Sequence, residues 1–328
     1  MKAILFPKYG SPKVLRLEEV EKPAPKDDQV LIKVRAASIN SLDWHFMRGS
    51  PFLVRVSGSG IRRPKDPRLG VDLAGTVEAV GAKVTRLRVG DAVFGRGDGA
   101  FAEYACARED ALVAKPATMT FETAAAVPIA ALTALEALRD RGGIQAGQQV
   151  LIYGASGGVG SFAVQLAKYF GAEVTAVCGP RSVEQARSLG ADHVIDYTKE
   201  DFSKKGLRYD VILGVNGYRR VSAFRRALRH GGTYVMVGAA NARLMRAMAQ
   251  TMFAGAVMSR VSRKNARTFM AKPRRADLEL VRDLIVAGKV TPVIDACYPL
   301  ADTVEAMRYF EEVHPRGKVV ITVDHNRP

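Results

Sequence analysis

The sequence is poor in cysteine: it has three in 328 residues, Cys106, Cys178 and Cys297. They lie far apart, and no two of them have the spacing of metal ligands. An odd number of cysteines without a secretory context argues against a disulfide framework and favours a reducing compartment. The apolar run at the N-terminus is shorter than a signal-peptide core, and no stretch approaches the about 20 apolar residues that a spanning helix needs. We therefore expect a cytoplasmic protein.

Acidic residues are scarce beside basic ones, 33 against 49, and the net charge is +16. The basic residues are scattered and no recognition motif accompanies them, which argues against a nucleic-acid partner. Three explanations of the charge remain open: simple solubility, a field that attracts an anionic cofactor, and peripheral contact with an anionic membrane. The segment 44–68 is rich in arginine and also contains Phe46 and Phe52. It is expected to form a lid over the substrate, a membrane contact or a solvated loop.

The composition, with 48% hydrophobic and 25% charged residues, is that of a folded protein, and the length suits two domains. The first ~120 residues contain short apolar segments separated by glycine and proline, which indicates a barrel-like β domain. From residue 150 onwards, strand and helix patterns alternate, which predicts an α/β fold with a parallel sheet covered on both faces. Strand patterns return at the end of the chain. We predict one domain from 1–121 and 290–328, and a dinucleotide-binding domain from 122–289.

The strongest chemical signal is the glycine-rich segment 154–160, which follows an apolar strand and opens a helix. Such a tight turn has no room for Cβ atoms where a phosphate approaches the backbone. The free N–H groups at the start of the helix, together with the helix dipole, attract a pyrophosphate. In this strand–turn–helix context the pattern predicts a Rossmann dinucleotide site. Its contacts are assigned to Ser156, Gly157, Gly158 and Val159.

The end of the next strand distinguishes NAD from NADP. An acidic residue there would bind the ribose hydroxyls and repel a 2′-phosphate. The sequence instead continues with Cys178, Gly179, Pro180, Arg181 and Ser182. The Arg181 guanidinium suits a phosphate, and Ser182 is expected to cap the following helix and to donate a hydrogen bond. These residues predict NADPH as cofactor, with Tyr197 walling the adenine side.

A methionine-rich stretch at 244–261 has helical spacing. It is expected to be buried core, although an adaptable substrate wall or a dimer surface remains open.

Several segments together resemble the medium-chain dehydrogenase/reductase superfamily, and within it the zinc-free quinone oxidoreductase branch. The resemblance covers essentially the whole chain. It rests on the glycine loop and on the motifs at 38–43, 70–77, 89–93, 131–134 and 317–320. It implies a GroES-like β-rich catalytic domain beside a doubly wound Rossmann sheet, and a homodimer.

The chain departs from the alcohol dehydrogenases of that superfamily at their metal sites. Asn40 stands where a zinc-binding cysteine is expected, and Gly70-Val71-Asp72 replaces Gly-His-Glu. The cysteine-rich structural lobe is missing as well. Catalytic zinc needs three protein ligands that supply nitrogen, sulfur or oxygen, and Asn40 and Val71 do not provide them. We therefore predict no metal.

The resemblance implies a catalytic set of Asn40, Asp43 and Thr133. Asn40 and Thr133 would lie near the nicotinamide and its ribose, with Gly238 and Lys318 close by, and Asp43 would order the local network or the substrate mouth. Val215 and Val237 complete the expected cofactor set. His45 is the histidine nearest to these positions, and it is expected to serve as a packing residue or as a proton relay.

Without a Lewis acid, an alcohol is hard to activate at neutral pH, whereas an electron-poor acceptor is easier to reduce. We therefore expect NADPH-dependent reduction of quinones or α,β-unsaturated carbonyls by direct hydride transfer. Two alternatives stay open: a zinc-independent alcohol or aldehyde oxidoreductase, and a non-catalytic NADPH-responsive binding protein.

Overall fold

A computed structural model describes residues 1–215, 219–238, 251, 264–269 and 271–325, without the side chains of residues 57 and 58. The methionine-rich stretch at 244–261 therefore lies, apart from Thr251, outside the described residues. Two compact units form the chain. Unit 1 comprises Met1–Ala130, Pro273–Ala287 and Pro292–Pro328, and unit 2 comprises Ala131–Lys272 and Gly288–Thr291. The domain limits at 121 and 290 stay predictions.

Unit 1 is built mainly on antiparallel strand pairs, and only its last two strands pair in parallel. Its strands are β1 (Lys2–Leu5), β2 (Arg16–Glu19), β3 (Gln29–Ser38), β4 (Asp72–Val80), β5 (Ala92–Arg96), β6 (Tyr104–Arg108), β7 (Leu112–Ala114), β14 (Ile294–Pro299) and β15 (Lys318–Thr322). The main sheet has the order β14-β15-β3-β4-β5-β7, β6 also pairs with β3, and β1 pairs with β2 separately. The ten-residue strand β3 is central because it pairs with β4, β6 and β15.

Helices and one hydrophobic core complete unit 1. Its helices are α1 (Ser41–Arg48), α2 (Phe121–Ala125), α7 (Arg275–Val286) and α8 (Thr303–Val313). Val30, Ile32 and Val34 alternate along β3 and are fully buried in that core. Their burial follows from the period of two along a strand, which sends alternate side chains to one face.

Unit 2 contains a parallel sheet. Its strands are β8 (Gln149–Tyr153), β9 (Glu173–Cys178), β10 (His193–Asp196), β11 (Tyr209–Val215), β12 (Leu228–Val237) and β13 (Asn265–Thr268). They have the order β10-β9-β8-β11-β12-β13. Numbered within the unit, this is 3-2-1-4-5-6, the order of a dinucleotide-binding sheet, whose direction of winding reverses between β8 and β11. The predicted α/β fold, GroES-like and Rossmann parts included, is confirmed.

The helices of unit 2 are α4 (Gly158–Tyr169), α5 (Val183–Ser188) and α6 (Val221–Ala227), and α3 (Pro128–Glu136) enters it at Ala131. The stretch 121–138 is rich in alanine and leucine, which favour helix, but it is divided into α2 and α3 at Pro128. A proline has no N–H to donate, and it disfavours helical backbone in the residue before it. Among the described residues, no helix is long and apolar enough to cross a membrane.

Aromatic side chains fill the core of unit 2 on one side of its sheet. Phe224 stacks on Tyr234 with ring centroids 4.5 Å apart and on Phe202 at 5.4 Å, and Tyr153 meets Phe224 edge-on at 5.6 Å. Phe224 and Phe202 are almost completely buried. Offset and edge-on aromatic pairs add to the free energy that their burial supplies. Tyr153, a member of this cluster, directly precedes the glycine loop.

Replacing Phe224 by alanine is expected to lower the free energy of unfolding by about 3–5 kcal/mol, because it removes a fully buried ring. Urea unfolding followed by circular dichroism measures the change. The control is Phe52→Ala, at a site that is 61% exposed, which is expected to change stability by less than about 0.5 kcal/mol. An equal decrease in the free energy of unfolding in the two variants would contradict the assignment of Phe224 to the core.

Candidate cofactor and active site

The glycine loop leaves β8 at the point where the strand order reverses. Gly154 follows Tyr153 with φ +81°, a left-handed backbone conformation that favours glycine. A Cβ on Gly154 would lie 2.7 Å from the carbonyl oxygen of Val215, the last residue of β11. The loop therefore begins against the neighbouring strand, at the edge of the sheet where doubly wound folds bind their ligands.

The other two glycines of the loop serve different purposes. A Cβ on Gly160 would lie 2.1 Å from the carbonyl oxygen of Gly154. The close packing of the first helical turn against the start of the loop therefore requires glycine at this position. A Cβ on Gly157 would meet nothing nearer than 4.0 Å, so packing within the protein does not require glycine at that position. Such an open position fits the approach of a pyrophosphate to the backbone.

Helix α4 begins directly at this open position. Gly157 is its N-cap and has no side chain with which to cap it, and Gly158 and Val159 form the first turn. The N–H groups of a first helical turn have no partner within the helix and carry the positive end of the helix dipole. Ser156 immediately precedes the N-cap. The structure thus places the predicted loop residues at one helix N-terminus, as a dinucleotide site requires.

The end of β9 carries further residues that the sequence predicts to bind the cofactor. The Tyr197 hydroxyl lies 3.1 Å from where a Cβ on Gly179 would be, so this tyrosine covers the glycine. The Tyr197 N–H also donates to the Cys178 carbonyl oxygen at 3.1 Å. Cys178 is buried, and burial and the nearby Asp196 carboxylate raise the pKa of its thiol to about 11. It therefore contributes backbone and packing here rather than a thiolate.

Arg181 and Ser182 follow on the short 3₁₀ turn Pro180–Ser182. Arg181 is exposed two residues after the glycine that Tyr197 covers. Ser182 occupies the N-cap position of α5, but the predicted capping hydrogen bond was wrong, because its side chain makes none. Its backbone, at φ −118° and ψ 7°, lacks the extended conformation that N-cap residues usually have.

The predicted residues of unit 1 meet around a buried lysine. Lys318, at the start of β15, is 3% exposed. Its ammonium donates to the Asn40 side-chain oxygen at 2.6 Å and to the Ile39 carbonyl oxygen at 3.0 Å. It also lies 3.6 Å from the Asp72 carboxylate. Three acceptors therefore surround a cation that has three N–H groups to donate.

Both the nitrogen and the oxygen of the Asn40 side-chain amide make hydrogen bonds within unit 1. Its nitrogen donates to Asp72 at 3.0 Å and to the Ser38 carbonyl oxygen at 3.2 Å, while its oxygen accepts from Lys318. Both amide hydrogens are thus used inside the protein. The orientation of Asn40 follows from these contacts, because a flipped amide would turn its N–H groups toward the ammonium.

Asp72 is named in the sequence analysis only within the motif Gly70-Val71-Asp72, and no role in the site is predicted for it. It is fully buried and accepts from Ser38 Oγ at 3.2 Å and from the Ile129 N–H at 3.1 Å, in addition to Asn40. A signal did exist in the sequence: an aspartate directly before the apolar residues of β4. Carboxylates are buried when a cation or several donors compensate them.

Asp43 has a different environment. It is fully buried in the first turn of α1 and accepts the Asn40 N–H at 2.8 Å, while its other oxygen has no hydrogen-bond partner among the described residues. Burial raises the pKa of Asp43 to about 7, the Asp72 carboxylate adds to the rise, and the Asn40 and Gly70 N–H groups oppose it. Burial likewise lowers the pKa of Lys318, against the pull of its two aspartates. The cluster of Asn40, Asp43, Asp72 and Lys318 is therefore close to neutral when Asp43 carries a proton.

The remaining predicted residues are placed as follows. Val215 and Val237 are buried at the ends of β11 and β12, and Gly238 follows with φ +63°. Thr133 is partly buried in α3. His45 is buried, with Nδ1 2.6 Å from the Ser50 carbonyl oxygen, which favours a packing role.

Known proteins resemble both units. Residues 26–117 match the family model described as alcohol dehydrogenase GroES-like domain, and residues 189–321 match the model described as zinc-binding dehydrogenase. A chloroplast envelope quinone oxidoreductase homolog from Arabidopsis thaliana is 34% identical, over 98% of this chain and 98% of its own. The chain belongs to the medium-chain dehydrogenase/reductase superfamily, in its quinone oxidoreductase branch.

Two other members of the superfamily extend the comparison. An NADPH-dependent alkenal/one oxidoreductase from Arabidopsis thaliana is 33% identical, over 98% of this chain and 79% of its own. The structure of the quinone oxidoreductase from Coxiella burnetii superposes with a TM-score of 0.87 at 31% identity, covering 99% of each chain. The protein is therefore an oxidoreductase.

Gly157→Ala and Gly160→Ala are expected to separate binding from stability. Alanine at Gly157 has room in the protein, so the melting temperature should hold while the affinity for NADPH falls, because the methyl group occupies the phosphate position. Alanine at Gly160 collides with backbone at 2.1 Å and should lower the melting temperature markedly. Differential scanning calorimetry and a fluorescence titration with NADPH measure the two effects. Unchanged NADPH affinity in Gly157→Ala would contradict the assigned phosphate site.

Asp43→Asn is expected to change how stability depends on pH. The folded-state pKa of about 7 exceeds the ordinary value of 3.8, so the stability that protonated Asp43 contributes is full below about 4 and is lost as pH rises to about 7. Asparagine cannot ionise, so the variant does not lose this stability. Its free energy of unfolding should therefore rise relative to that of the wild type between about pH 5 and about pH 7, by about 1.4 kcal/mol per pH unit.

Urea unfolding at several pH values between about 5 and 8 measures that difference. Asp110→Asn is the control, because its exposed carboxylate pairs with Arg108, which lowers its pKa. It should show no such trend in this range. Parallel curves for Asp43→Asn and the wild type would contradict a protonated Asp43.

Proposed function

We propose that the protein catalyses NADPH-dependent reduction of quinones or α,β-unsaturated carbonyls by direct hydride transfer without a metal. The observation that carries the proposal is the buried cluster of Asn40, Asp43, Asp72 and Lys318. Two of its members, Asn40 and Asp72, stand in the motifs in which the alcohol dehydrogenases of the superfamily are expected to hold zinc. The names of the two Arabidopsis relatives support the same two classes of acceptor.

The residues of this cluster do not fit a zinc centre. Zinc in proteins takes sulfur, imidazole nitrogen or carboxylate oxygen in a tetrahedral arrangement. Here the Asn40 amide is fully engaged, Val71 offers no ligand atom, and the Lys318 ammonium lies 2.6 Å from the Asn40 oxygen. A divalent cation at this place would meet that ammonium in a low-dielectric environment, where like charges repel strongly.

The residues of unit 2 fit NADPH. The N-terminus of α4, with the open backbone at Gly157, would hold the pyrophosphate, and Arg181 with Ser182 would hold the 2′-phosphate. Tyr197 would wall the adenine beside Cys178 and Gly179. We assign Val215, Val237 and Gly238, together with Thr133, Asn40 and Lys318, to the rest of the cofactor. The absence of an acid at the end of β9 supports NADPH over NADH.

The bound cofactor supplies a hydride, and the protein supplies orientation and exclusion of water. A quinone or an enone accepts a hydride without first losing a proton, so no Lewis acid is required to activate it. In this account Lys318 and Asp72 fix the orientation of Asn40, and Asp43 ties Asn40 to the start of α1. Asp43 and Asp72 are positioning residues, and their contacts hold Asn40 in one geometry.

The test is NADPH oxidation by the purified protein with a panel of quinones, enones and aldehydes, and NADP⁺ reduction with a panel of alcohols, before and after dialysis against a zinc chelator. We expect turnover with a quinone or an enone and the same kcat/KM after chelation, with a zinc alcohol dehydrogenase losing activity in parallel. Loss of activity on chelation, restored by zinc, would contradict the metal-free reaction. Turnover confined to aldehydes with NADPH, or to alcohols with NADP⁺, would contradict the acceptor class.

Arg181→Ala is expected to raise KM for NADPH by about 10- to 100-fold, because a charge-assisted contact to the 2′-phosphate is lost. KM for NADH should stay nearly unchanged, since NADH has no such phosphate. Arg187→Ala is the matched control, because Arg187 is exposed on α5 and pairs with Glu184. Equal effects of Arg181→Ala on both cofactors would show that Arg181 does not bind the 2′-phosphate.

A further inference from the structure

Exposed apolar side chains concentrate in one short segment of unit 1. Among the described residues, four of the eleven large hydrophobic side chains with strong exposure fall between residues 52 and 61. They are Phe52 at 61%, Leu53 at 52%, Val56 at 48% and Ile61 at 60%. The other seven are spread along the chain, so this concentration is local. Exposed apolar groups on a protein surface commonly mark a binding surface when they form one patch.

These residues belong to one closed segment, which we call the 51–65 loop. The Lys65 N–H donates to the Ser59 carbonyl oxygen at 2.8 Å, and the Gly60 N–H donates to the Arg55 carbonyl oxygen at 3.1 Å. Gly60 has φ +106°, and a Cβ there would lie 2.2 Å from the Arg63 carbonyl oxygen, so the turn is tight. The bonds close the loop on itself and bring its two halves together.

The loop is also fastened to the rest of unit 1. The Tyr9 hydroxyl donates to the Gly60 carbonyl oxygen at 2.5 Å, and the Ser59 carbonyl oxygen lies 3.1 Å from the same hydroxyl. The Arg55 guanidinium lies over the Tyr9 ring at 4.5 Å and donates to the Gly49 carbonyl oxygen at 2.9 Å. Contacts with Tyr9 and Gly49 thus hold the loop backbone in place, while the apolar side chains of the loop remain exposed to solvent.

Cations accompany the apolar residues. Arg62, Arg63 and Lys65 are all exposed and follow Ile61 directly. The only acidic residue in the sequence from 49 to 68 is Asp66, which the Arg68 guanidinium engages at 2.6 Å. Apolar side chains and a cluster of cations on one short element are the combination that binds the interface of an anionic bilayer.

We propose that the 51–65 loop docks the protein on an anionic phospholipid bilayer, with Phe52, Leu53 and Ile61 entering between the headgroups and Arg62, Arg63 and Lys65 contacting lipid phosphates. A second copy of the chain is disfavoured, because a two-fold contact would set these cations against their own copies on a protein of charge +16. Nucleic acid is disfavoured, because three of the four exposed apolar side chains are aliphatic and cannot stack on bases.

The test is co-sedimentation of the full chain with vesicles of equimolar phosphatidylcholine and phosphatidylserine, compared with vesicles of phosphatidylcholine alone. We expect binding to the anionic vesicles alone, weakening as salt is raised. Arg62→Gln/Arg63→Gln/Lys65→Gln should weaken binding by about 100-fold, because each cation contributes roughly fivefold near such a surface. Phe52→Ser/Leu53→Ser should weaken it by at least about tenfold.

Matched controls remove the same groups elsewhere. Arg88→Gln/Lys199→Gln/Lys289→Gln removes three exposed cations, and Val89→Ser removes an exposed apolar side chain that is 64% exposed. Both should bind as the wild type does, and thermal melting should show every variant folded. The readout is binding, so its result is independent of the proposed reaction.

Five results would overturn the proposal. Three concern vesicles: no sedimentation of the wild type with anionic vesicles at low salt, equal binding by the wild type and both loop variants, and equal loss of binding in the cation control. The fourth is a dimer in gel filtration that Phe52→Ser/Leu53→Ser converts to a monomer, which would make the loop an interface between copies. Loss of binding to an RNA oligonucleotide by the loop variants, with vesicle binding unchanged, would assign the loop to nucleic acid instead.

Discussion

The ammonium of Lys318, removed almost entirely from water, is the constraint on which the centre of unit 1 depends. A buried charge is costly unless a counter-charge and hydrogen-bond acceptors surround it. The Asn40 amide, the Ile39 carbonyl group and the Asp72 carboxylate meet that requirement. Removing one partner of such a buried pair typically costs about 3–5 kcal/mol, because the other charge is left uncompensated. The cluster therefore fixes its members in one arrangement.

This constraint joins segments that are distant in sequence. Lys318 begins β15, Ser38 ends β3, Asn40 precedes α1 and Asp72 begins β4. The pairing of β3 with β4 sets Ser38 opposite Asp72, and the pairing of β15 with β3 places Val320 opposite Ser38, two residues beyond Lys318. Sheet register thus brings the polar groups together, and their mutual hydrogen bonds hold the start of α1. The arrangement thus fixes the Asn40 side chain in one orientation.

The parts of the fold that could be predicted are those encoded locally. The alternation of strands and helices and the glycines at 154–160 follow from periodicity and backbone freedom within short windows, and the structure has them. The role of Asp72 was missed because it depends on β15, β3 and β4 meeting in space, which no spacing reveals. The capping bond expected of Ser182 failed because its ψ angle departs from the extended form. The roles of Asn40, Asp43 and Thr133 in catalysis stay predictions, because they depend on a bound substrate.

The most direct test of the central claim, metal-free hydride transfer from NADPH, follows the hydride itself. Chelator-treated protein is supplied with NADPH deuterated at the reactive C4 position and with an enone, and the product is analysed by mass spectrometry and NMR. The account predicts a saturated ketone carrying one deuterium at the carbon β to the carbonyl group. A reduced product without deuterium, or no product until zinc is added, would contradict it.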